Sequence, residues 1–430
     1  MLTVQEKAGQ LLENRELCDH CLGRQFAQLG HGLENYERGQ IIRNTDELDE
    51  DSFVKENIPE DAEIGGNAYS NENMLESNDL ESQCVDCEIC QGVFDELDRW
   101  ADMVENSFER YELDTFLIGI RPREESVRAE EELWEEYGVE WTEPLKTELS
   151  RLLGKKMEER LDIEVDFERA DIMAVVDMRE GKERVELQVN SLLIYGQYNK
   201  YSREIPQTEW HCRNCRGSGC EECDWTGKQY PTSVQEEIQK PFMRESKAVE
   251  AKFHGGGRED VNARCLGKRE FVLELIEPLN RDLDLEKLQK EVNESTDKIE
   301  IFNVKFTHKD KAADIKQKHA DKEYKAVVET EDEISEEDLE NISEVVGEVE
   351  QETPERVEHR RAEKTRNREV YEADWEKTGD KEFELTVKAE AGTYIKELIH
   401  GDDGRTQPNI SELIGTQAKC VQLDVTWIEK

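Results

Sequence analysis

Four cysteines near the middle of the chain have the type and spacing of a metal-binding knuckle. Cys212 and Cys215 form one Cys-x-x-Cys pair, and Cys220 and Cys223 form the next. Four thiolates can fill every position of a tetrahedral Zn²⁺ ion, so this site would be structural and would leave no position for water. The glycines between the two pairs permit the tight turns that a knuckle needs. The pattern therefore predicts a structural zinc site.

A second group of cysteines is divided between two distant segments. Cys18 and Cys21 form one Cys-x-x-Cys pair, and Cys84, Cys87 and Cys90 form two overlapping pairs. Pairs from separate segments can close one tetrahedral site, and in a cytoplasmic protein such clusters favour a metal over disulfides. The alternative is a set of reduced, buried cysteines. Spacing alone leaves open which of the three later cysteines would be ligands.

A glycine-rich stretch carries the candidate catalytic acid. It runs from Phe253 to Asn262, and Asp260 follows shortly after three consecutive glycines. Glycines adopt φ > 0 and allow close approach of the backbone to a ligand, so this loop can present a carboxylate at the edge of a sheet. The alternative is a tight turn with a solvated aspartate. The loop matches neither the dinucleotide-binding nor the phosphate-binding glycine pattern.

The elements that must position this acid are strands and helices in the second half of the chain. Ser233 and Glu236 form a capping box that predicts a short helix before the loop. Residues 285–293 are predicted to form a further helix. Alternating apolar residues predict five strands, at 271–276, 298–306, 323–328, 381–389 and 423–428.

The first half of the chain is predicted to form a smaller α+β unit. Two stretches, 171–177 and 184–189, alternate like strands and are joined by a polar turn, which is typical of a hairpin. The part of this unit from about residue 91 to 207 contains no acid–base or nucleophile constellation. Helices are predicted at 2–40, 94–112 and 131–160, with a strand at 115–120.

Two acidic segments interrupt these patterns. Residues 44–83 are rich in Asp, Glu, Asn and Ser with few apolar residues, and such a segment buries too little surface to offset its ordering entropy. We expect it to be a disordered insertion. The second segment, 330–352, is expected to be a helix with mobile flanks.

The charge of the chain is extreme. There are 104 Asp and Glu residues against 57 Lys and Arg in 430 residues, for a net charge of −47. Taken alone, this argues against a nucleic-acid partner, because phosphate binding relies on cations. We prefer adaptation to a salt-saturated cytoplasm, since at about 1 M salt the Debye length is roughly 3 Å and only close contacts matter. The acidity then excludes no partner.

Length and hydropathy bound the class of protein. A chain of 430 residues is expected to form two or three domains. It has no run of about 18 apolar residues, and its first residues carry charges where a signal peptide is apolar. We therefore expect a soluble, cytoplasmic protein with no membrane partner.

Several ordered motifs, taken together, resemble a known enzyme family. The glycine-rich loop followed by Arg-Cys-Leu-Gly looks like the catalytic loop of the archaeal and eukaryotic tRNA pseudouridine synthases that modify uridines 54 and 55. The resemblance covers nearly the whole chain, and with the acidity it suggests a halophilic archaeal member. The other matching motifs are Ile194–Tyr198, Ile205–Thr208, Thr353–Ala362, Ala391–Leu398 and His400–Asp402.

The resemblance implies an α+β fold with two domains. Residues 1–207 would form a zinc-containing, THUMP-type RNA-binding domain. Residues 208–430 would form the catalytic domain, with a mixed or antiparallel sheet and the knuckle at 212–223. No organic cofactor is implied, because the isomerisation involves neither a redox step nor a phosphate donor.

The resemblance also implies roles for individual residues. Asp260 would be the catalytic carboxylate, Tyr324 would stack on the uracil and move a proton, and Lys396 would pair with Asp260. Ile395 and Leu423 would line the pocket, and Arg258 would contact substrate. Without the resemblance, Tyr324, Ile395 and Leu423 would be assigned to the core. For the N-terminal metal site the family suggests the ligands Cys18, Cys21, Cys87 and Cys90, with Cys84 as a spare.

The expected partner is tRNA, contacted at its T-arm and elbow by a monomeric protein. Two lysine- and arginine-rich islands, 309–318 and 356–368, would suit RNA binding, although the first is equally expected as a solvated surface helix. Tyrosines in 195–201, with Lys200 and Arg203, could stack on or hold RNA.

Two rivals remain. One is a non-catalytic, zinc-containing RNA-binding or chaperone-like protein, which would have no need of Asp260, Tyr324 and Lys396 in this order. The other is a THUMP-bearing methyltransferase, which would need a glycine-rich cofactor turn that we do not find in the sequence.

Overall fold

The computed structural model describes residues 2–54, 57, 84, 86–356 and 362–429. They form two compact units, Met1–Asn190 and Ser191–Lys430. The division falls earlier than residue 207, because the strand Leu192–Lys200 pairs with two strands of the second unit. Within the described part of the chain, no helix combines the length and the apolar character that crossing a membrane requires.

The first unit contains six α-helices and four strands among its described residues. Short 3-10 helices lie at Arg24–Phe26, Glu50–Ser52 and Val93–Glu96. The α-helices and strands are α1 Val4–Asn14, α2 Asp19–Gly23, α3 Asn35–Asn44, α4 Leu97–Phe108, β1 Thr115–Arg121, α5 Glu124–Tyr137, α6 Leu145–Leu161, β2 Glu164–Val165, β3 Ile172–Asp177 and β4 Arg184–Val189.

The sheet of the first unit has the order β2-β1-β3-β4. β1 is parallel to β2 and β3, whereas β3 and β4 form the antiparallel hairpin predicted from the sequence. The helix α4 buries Trp100, Val104 and Phe108 on one face, at the spacing of an amphipathic helix. This face and the helix α6 cover the sheet.

The beginning of the segment predicted to be disordered, 44–83, is folded. Leu48 and Phe53 are buried in the core of the first unit, and the ring of Phe53 stacks on Phe26 at 5.8 Å. A few buried apolar residues are enough to order this part, so the disorder predicted from its acidic composition is wrong here. The rest of 44–83, apart from Asn57, lies outside the described residues.

The second unit is built on one large sheet. Its 3-10 helices lie at Glu221–Cys223, Asn341–Val345 and Asp402–Gly404. Its α-helices and strands are β5 Leu192–Lys200, α7 Val234–Ser246, β6 Glu250–Gly255, β7 Ala263–Ile276, α8 Leu285–Ser295, β8 Ile299–Thr307, α9 Lys309–Gln317, β9 Lys322–Thr330, α10 Glu336–Glu340, β10 Gly347–Gln351, β11 Arg366–Lys377, β12 Glu382–Ala389, α11 Ile395–His400, β13 Thr406–Gln407, α12 Ile410–Ile414 and β14 Ala418–Ile428.

The large sheet has ten strands and is mixed. Its order is β13-β10-β11-β12-β9-β14-β7-β5-β8, and β6 pairs with β7. The only parallel pair among the described strands of this sheet is β14 with β7, through Leu423–Val425 and Ala263–Cys265. The start of β7, directly after the glycine-rich loop, therefore lies beside the middle of β14.

The structure differs from the expectation for the segment 330–352, and it decides between the two alternatives for the segment 309–318. The acidic segment 330–352 forms only the short helix α10 and a 3-10 helix before the strand β10, since Ile342 and Val349 are buried in the core. The lysine-rich stretch 309–318 is a helix, α9, with Ala312 and Ile315 turned to the core. It is thus the surface helix that was one of the two alternatives.

Candidate active site

The glycine-rich loop connects the antiparallel strands β6 and β7. Gly257 has φ +87°, and a Cβ atom there would lie 2.7 Å from Nη1 of Arg269. A Cβ atom on Gly255 would lie 2.8 Å from Nε2 of Gln207. The positive φ favours glycine at 257, and a side chain at either position would displace the guanidinium of Arg269 or the amide of Gln207. The bend that these glycines allow brings Asp260 to the end of the loop.

Asp260 contacts two cations. Its Oδ2 atom lies 2.9 Å from Nζ of Lys396, and both carboxylate oxygens lie 3.4 Å from Nη1 of Arg356. Burial opposes ionisation of Asp260, but the hydrogen bond from Lys396 and the charge of Arg356 outweigh it, so the pKa of Asp260 lies below its usual value. The carboxylate is ionised at neutral pH and is partly open to solvent.

Arg356 is held by a second, buried carboxylate. Its Nε and Nη2 atoms donate to Oε1 and Oε2 of Glu397 at 2.6 and 3.2 Å, and the side chain of Glu397 is 1% exposed. This bidentate pair fixes the guanidinium while leaving Nη1 for Asp260. The sequence placed Arg356 in a basic island and both residues in motifs of the family resemblance, but it predicted no role at the site for either of them.

Backbone carbonyl oxygens of the loop are bound by side chains from outside it. Lys200 is fully buried and donates to the carbonyl oxygens of Asp260 and Val261 at 3.1 and 2.8 Å, and to Ile205 at 3.0 Å. Arg203 donates to the carbonyl of Asn262 at 3.1 Å. Lys200 is therefore a structural residue of the loop, whereas the sequence suggested an RNA contact.

Two further donors hold the first half of the loop. Arg269 donates to the carbonyl oxygen of Gly256 at 2.9 Å, and Gln207 donates to that of Gly257 at 2.8 Å. Arg269 also pairs with Glu259 at 3.0 Å, and neither side chain is exposed to solvent. A buried ion pair of this kind is costly to break, because one charge would remain unpaired. The loop is thus fixed at both ends.

Tyr324 lies in β9 and packs beside Cys265 and Val425. Burial raises its pKa, the Arg269 guanidinium lowers it, and the charges of Cys265 and Asp260 raise it again, for a pKa of about 12. The phenol is therefore protonated at neutral pH and is near enough to the Asp260 carboxylate to be affected by its charge.

The two predicted pocket residues are buried next to these groups. Ile395 begins the helix α11, directly before Lys396. Leu423 pairs with Ala263 across the parallel strands, and its carbonyl oxygen accepts a hydrogen bond from Arg203 at 2.9 Å. Ile395 is thus the chain neighbour of Lys396, the ion-pair partner of Asp260, and Leu423 lies beside the strand that follows the Asp260 loop.

Arg258 lies apart from the Asp260 carboxylate. It is exposed, donates to the hydroxyl of Thr208, and places its guanidinium 5.8 Å from the ring of Trp210. Among the described residues it forms no ion pair with Asp260. Of the predicted residues, the structure brings Asp260 and Lys396 into direct contact. Arg258 instead lies against Trp210, two residues before the first cysteine of the knuckle.

Both cysteine groups are assembled as four-thiol clusters. In the first unit the Sγ atoms of Cys18, Cys21, Cys87 and Cys90 all lie within 4.8 Å of one another, and the same holds in the second unit for Cys212, Cys215, Cys220 and Cys223. Cys84 is outside the first cluster. These are the sets that the sequence and the resemblance suggested.

The geometry of the second cluster suits zinc. A tetrahedron with Zn–S bonds of about 2.3 Å has S–S edges of about 3.8 Å, and Cys220 and Cys223 lie 3.7 Å apart. The backbone N–H groups of Cys220 and Gly227 donate to Sγ of Cys223 at 3.3 and 3.2 Å, and that of Gly219 donates to Sγ of Cys215 at 3.2 Å. The donors are thus arranged to stabilise thiolates.

Comparison with known proteins connects these features to one family. The Pus10 C-terminal model matches residues 193–429, and the archaeal Pus10 THUMP domain model matches residues 100–177. The chain belongs to the Pus10 family. The family resemblance seen in the motifs is confirmed, and so is the α+β class with a THUMP domain followed by the Pus10 C-terminal domain.

Curated relatives match over almost their full length. A tRNA pseudouridine synthase Pus10 from Methanocaldococcus jannaschii is 39% identical over 97% of this chain and 92% of its own. One from Methanothermobacter marburgensis is 38% identical over 99% and 98%. One from Halorubrum lacusprofundi is 36% identical over 100% and 97%. The Pus10 chain described here thus spans nearly the full length of these relatives.

Proposed function

We propose that this Pus10 protein is a tRNA pseudouridine synthase that isomerises uridine 54, uridine 55 or both in the T-loop. The observation that carries the proposal is the ionised Asp260, 2.9 Å from Lys396, at the end of a loop whose backbone is held by buried side chains. The names of the relatives support the same activity. A non-catalytic RNA-binding or chaperone-like protein has no need of such a fixed carboxylate.

The proposed reaction is an internal rearrangement. The N1–C1′ bond of the uridine breaks, the uracil turns within the site, and a C5–C1′ bond forms, while the proton on C5 moves to N1. The target nucleotide must leave its stack to reach Asp260. The carboxylate then acts on the ribose, either as a nucleophile or by removing a proton, and it is regenerated at the end.

The other site residues support this step in the proposal. Lys396 and Arg356 keep Asp260 ionised and oriented. Tyr324 stacks on the uracil and takes part in proton movement at C5. Ile395 and Leu423 exclude water and pack against the base, and Arg258 contacts RNA outside the pocket.

We further propose that both cysteine clusters bind zinc and that tRNA is the partner. Each cluster supplies four thiolates, so a bound ion would have no open position and would serve to stabilise its knuckle. The first unit, with the THUMP domain, would bind the tRNA while the second unit performs the reaction. Contact would be made with the T-arm and the elbow.

The test compares the wild-type protein with Asp260→Asn on unmodified tRNA transcripts. Asp260→Asn is isosteric but uncharged, so we expect no pseudouridine, with a tRNA dissociation constant close to that of the wild type. Pseudouridine is mapped by carbodiimide labelling, using transcripts with cytidine at position 54 or 55 to separate the two sites. Asp403→Asn, at an exposed acid of the same unit, is the matched control. Pseudouridine formed by Asp260→Asn would contradict the proposal.

A further inference from the structure

The knuckle of the second unit, 212–223, is taken here with its flanking residues as 210–230. This region exposes a tryptophan to solvent. Trp225 is 71% exposed, although a tryptophan can bury a large apolar surface. Together with its neighbour Asp224 it lies in the left-handed region, at φ +59° and +50°. The two residues therefore turn the chain sharply after Cys223.

The turn that carries Trp225 is rigid. Its backbone N–H donates to the carbonyl of Cys220 at 2.8 Å, and Gly227 donates to Sγ of Cys223 at 3.2 Å. A Cβ atom on Gly219 would lie 2.9 Å from the carbonyl oxygen of Trp225, so the two loops of the knuckle are closely packed. The ring is held outwards by an ordered turn.

The same knuckle carries two unpaired cations. Arg213 and Arg216 are exposed, and neither guanidinium group has a hydrogen bond or ion pair with any residue that the structure describes. This is unexpected in a chain with 104 acidic residues, where a cation has many possible partners. The acidic residues of the knuckle are Glu221 and Glu222, which lie within its other Cys-x-x-Cys pair, and Asp224, which follows that pair directly. The two guanidinium groups are thus available to an external anion.

The base of the knuckle is in contact with the catalytic loop. The guanidinium of Arg258 lies over the ring of Trp210, 5.8 Å from its centroid, and Arg258 also donates a hydrogen bond to the hydroxyl of Thr208. Arg258 precedes Asp260 by two residues. Nucleotides that flank a uridine bound at Asp260 would therefore have the knuckle as a neighbour.

We propose that the tip of the knuckle is an RNA-binding surface, in which Trp225 stacks on an unpaired base and Arg213 and Arg216 contact phosphates. An aromatic platform with nearby cations is the combination that binds single-stranded nucleic acid. This role goes beyond the structural zinc site, and it rests on the proposed function for the identity of the RNA as substrate tRNA.

The experiment measures tRNA binding in the Asp260→Asn background, where no product forms. We expect Trp225→Ala to raise the dissociation constant about 10-fold, as for the loss of one stacked base, and Trp225→Phe to restore most of the affinity. Arg213→Ala/Arg216→Ala should reduce the slope of log K against log salt by about 1.4, the value for two phosphate contacts on a single strand. Zinc content is measured for each variant.

The controls distinguish the surface from a fold defect and from the proposed function. Val249→Ala removes another exposed apolar side chain of the second unit and should leave affinity unchanged. Unchanged tRNA affinity in both knuckle variants would overturn the RNA-binding surface, as would self-association that Trp225→Ala abolishes without any effect on RNA. Failure of the wild type to form pseudouridine would overturn the proposed function, while the binding result would still decide the role of the knuckle.

Discussion

The charge state of Asp260 is set by its neighbours. Lys396 contributes a direct hydrogen bond and Arg356 a further positive charge, and together they overcome the cost of partial burial. Because Arg356 is anchored by the buried Glu397, its position does not depend on Asp260. Lys396 is less constrained, and its second partner is the side-chain oxygen of Asn262 at 3.2 Å.

Replacing Lys396 should change the pH dependence of the reaction. A depressed carboxylate pKa means that activity is present above that pKa and is lost as the pH falls through it. Lys396→Met removes the cation, so the pKa of Asp260 should rise, and the acidic limb of kcat/KM against pH should move to higher pH. Lys396→Arg keeps the charge and should keep the limb near its wild-type position. An acidic limb that Lys396→Met leaves unmoved would contradict this account.

At the level of elements, the loop is ordered by side chains that bind its carbonyl oxygens. Lys200 at the end of β5 and Arg269 in β7 belong to adjacent strands of the sheet, so the loop takes its shape from the sheet itself. The glycines permit the backbone conformation of the loop, and hydrogen bonds from buried side chains to its carbonyl oxygens stabilise that conformation.

Replacing Lys200 should slow catalysis more than it weakens binding. Lys200→Met keeps the length of the side chain but leaves buried carbonyl oxygens without donors, which we expect to reduce the free energy of unfolding by about 2 kcal/mol. The displaced Asp260 should lower the single-turnover rate about 100-fold, with little change in the tRNA dissociation constant. Lys240→Met, at an exposed lysine of the same unit, is the control. A wild-type rate in Lys200→Met would show that the loop is held without this residue.

The cysteine clusters should be separable by substitution. Cys212→Ser removes one of four ligands in the knuckle, so the zinc content should fall by about half and the melting temperature should decrease. Cys84→Ser, next to the other cluster but outside its four-thiol set, should leave the zinc content unchanged. Metal analysis of the purified variants gives both results. A full zinc content in Cys212→Ser would contradict a zinc ion there.

At the level of the whole molecule, the net charge of −47 opposes folding through self-repulsion. Salt screens this repulsion, since the Debye length decreases from about 10 Å at 0.1 M to about 3 Å at 1 M. The melting temperature should therefore rise with KCl between about 0.1 and 2 M. Sucrose at matched osmolarity separates charge screening from general exclusion effects. A melting temperature that does not depend on KCl would exclude the proposed adaptation to salt.

The sequence by itself determined what depends on spacing along the chain. The two Cys-x-x-Cys pairs of the knuckle, the glycine-rich loop and the main strands are local patterns, and the ordered motifs were enough to predict the family. Short apolar contacts were missed, as at Phe53, because a few buried residues can order an acidic segment whose composition predicts disorder.

Only the tertiary structure decided which distant side chains complete the site. Glu397, Lys200 and Arg269 are buried charged residues, and a charge in a sequence predicts exposure unless its partner is known. Arg356 is exposed, but the sequence does not show that Asp260 and Glu397 are its partners. The partners of these residues come from other strands and loops, so burial and pairing arise together only when the sheet is assembled. The sequence could thus name the acid, but the groups that ionise and hold it depend on contacts between segments far apart in the chain.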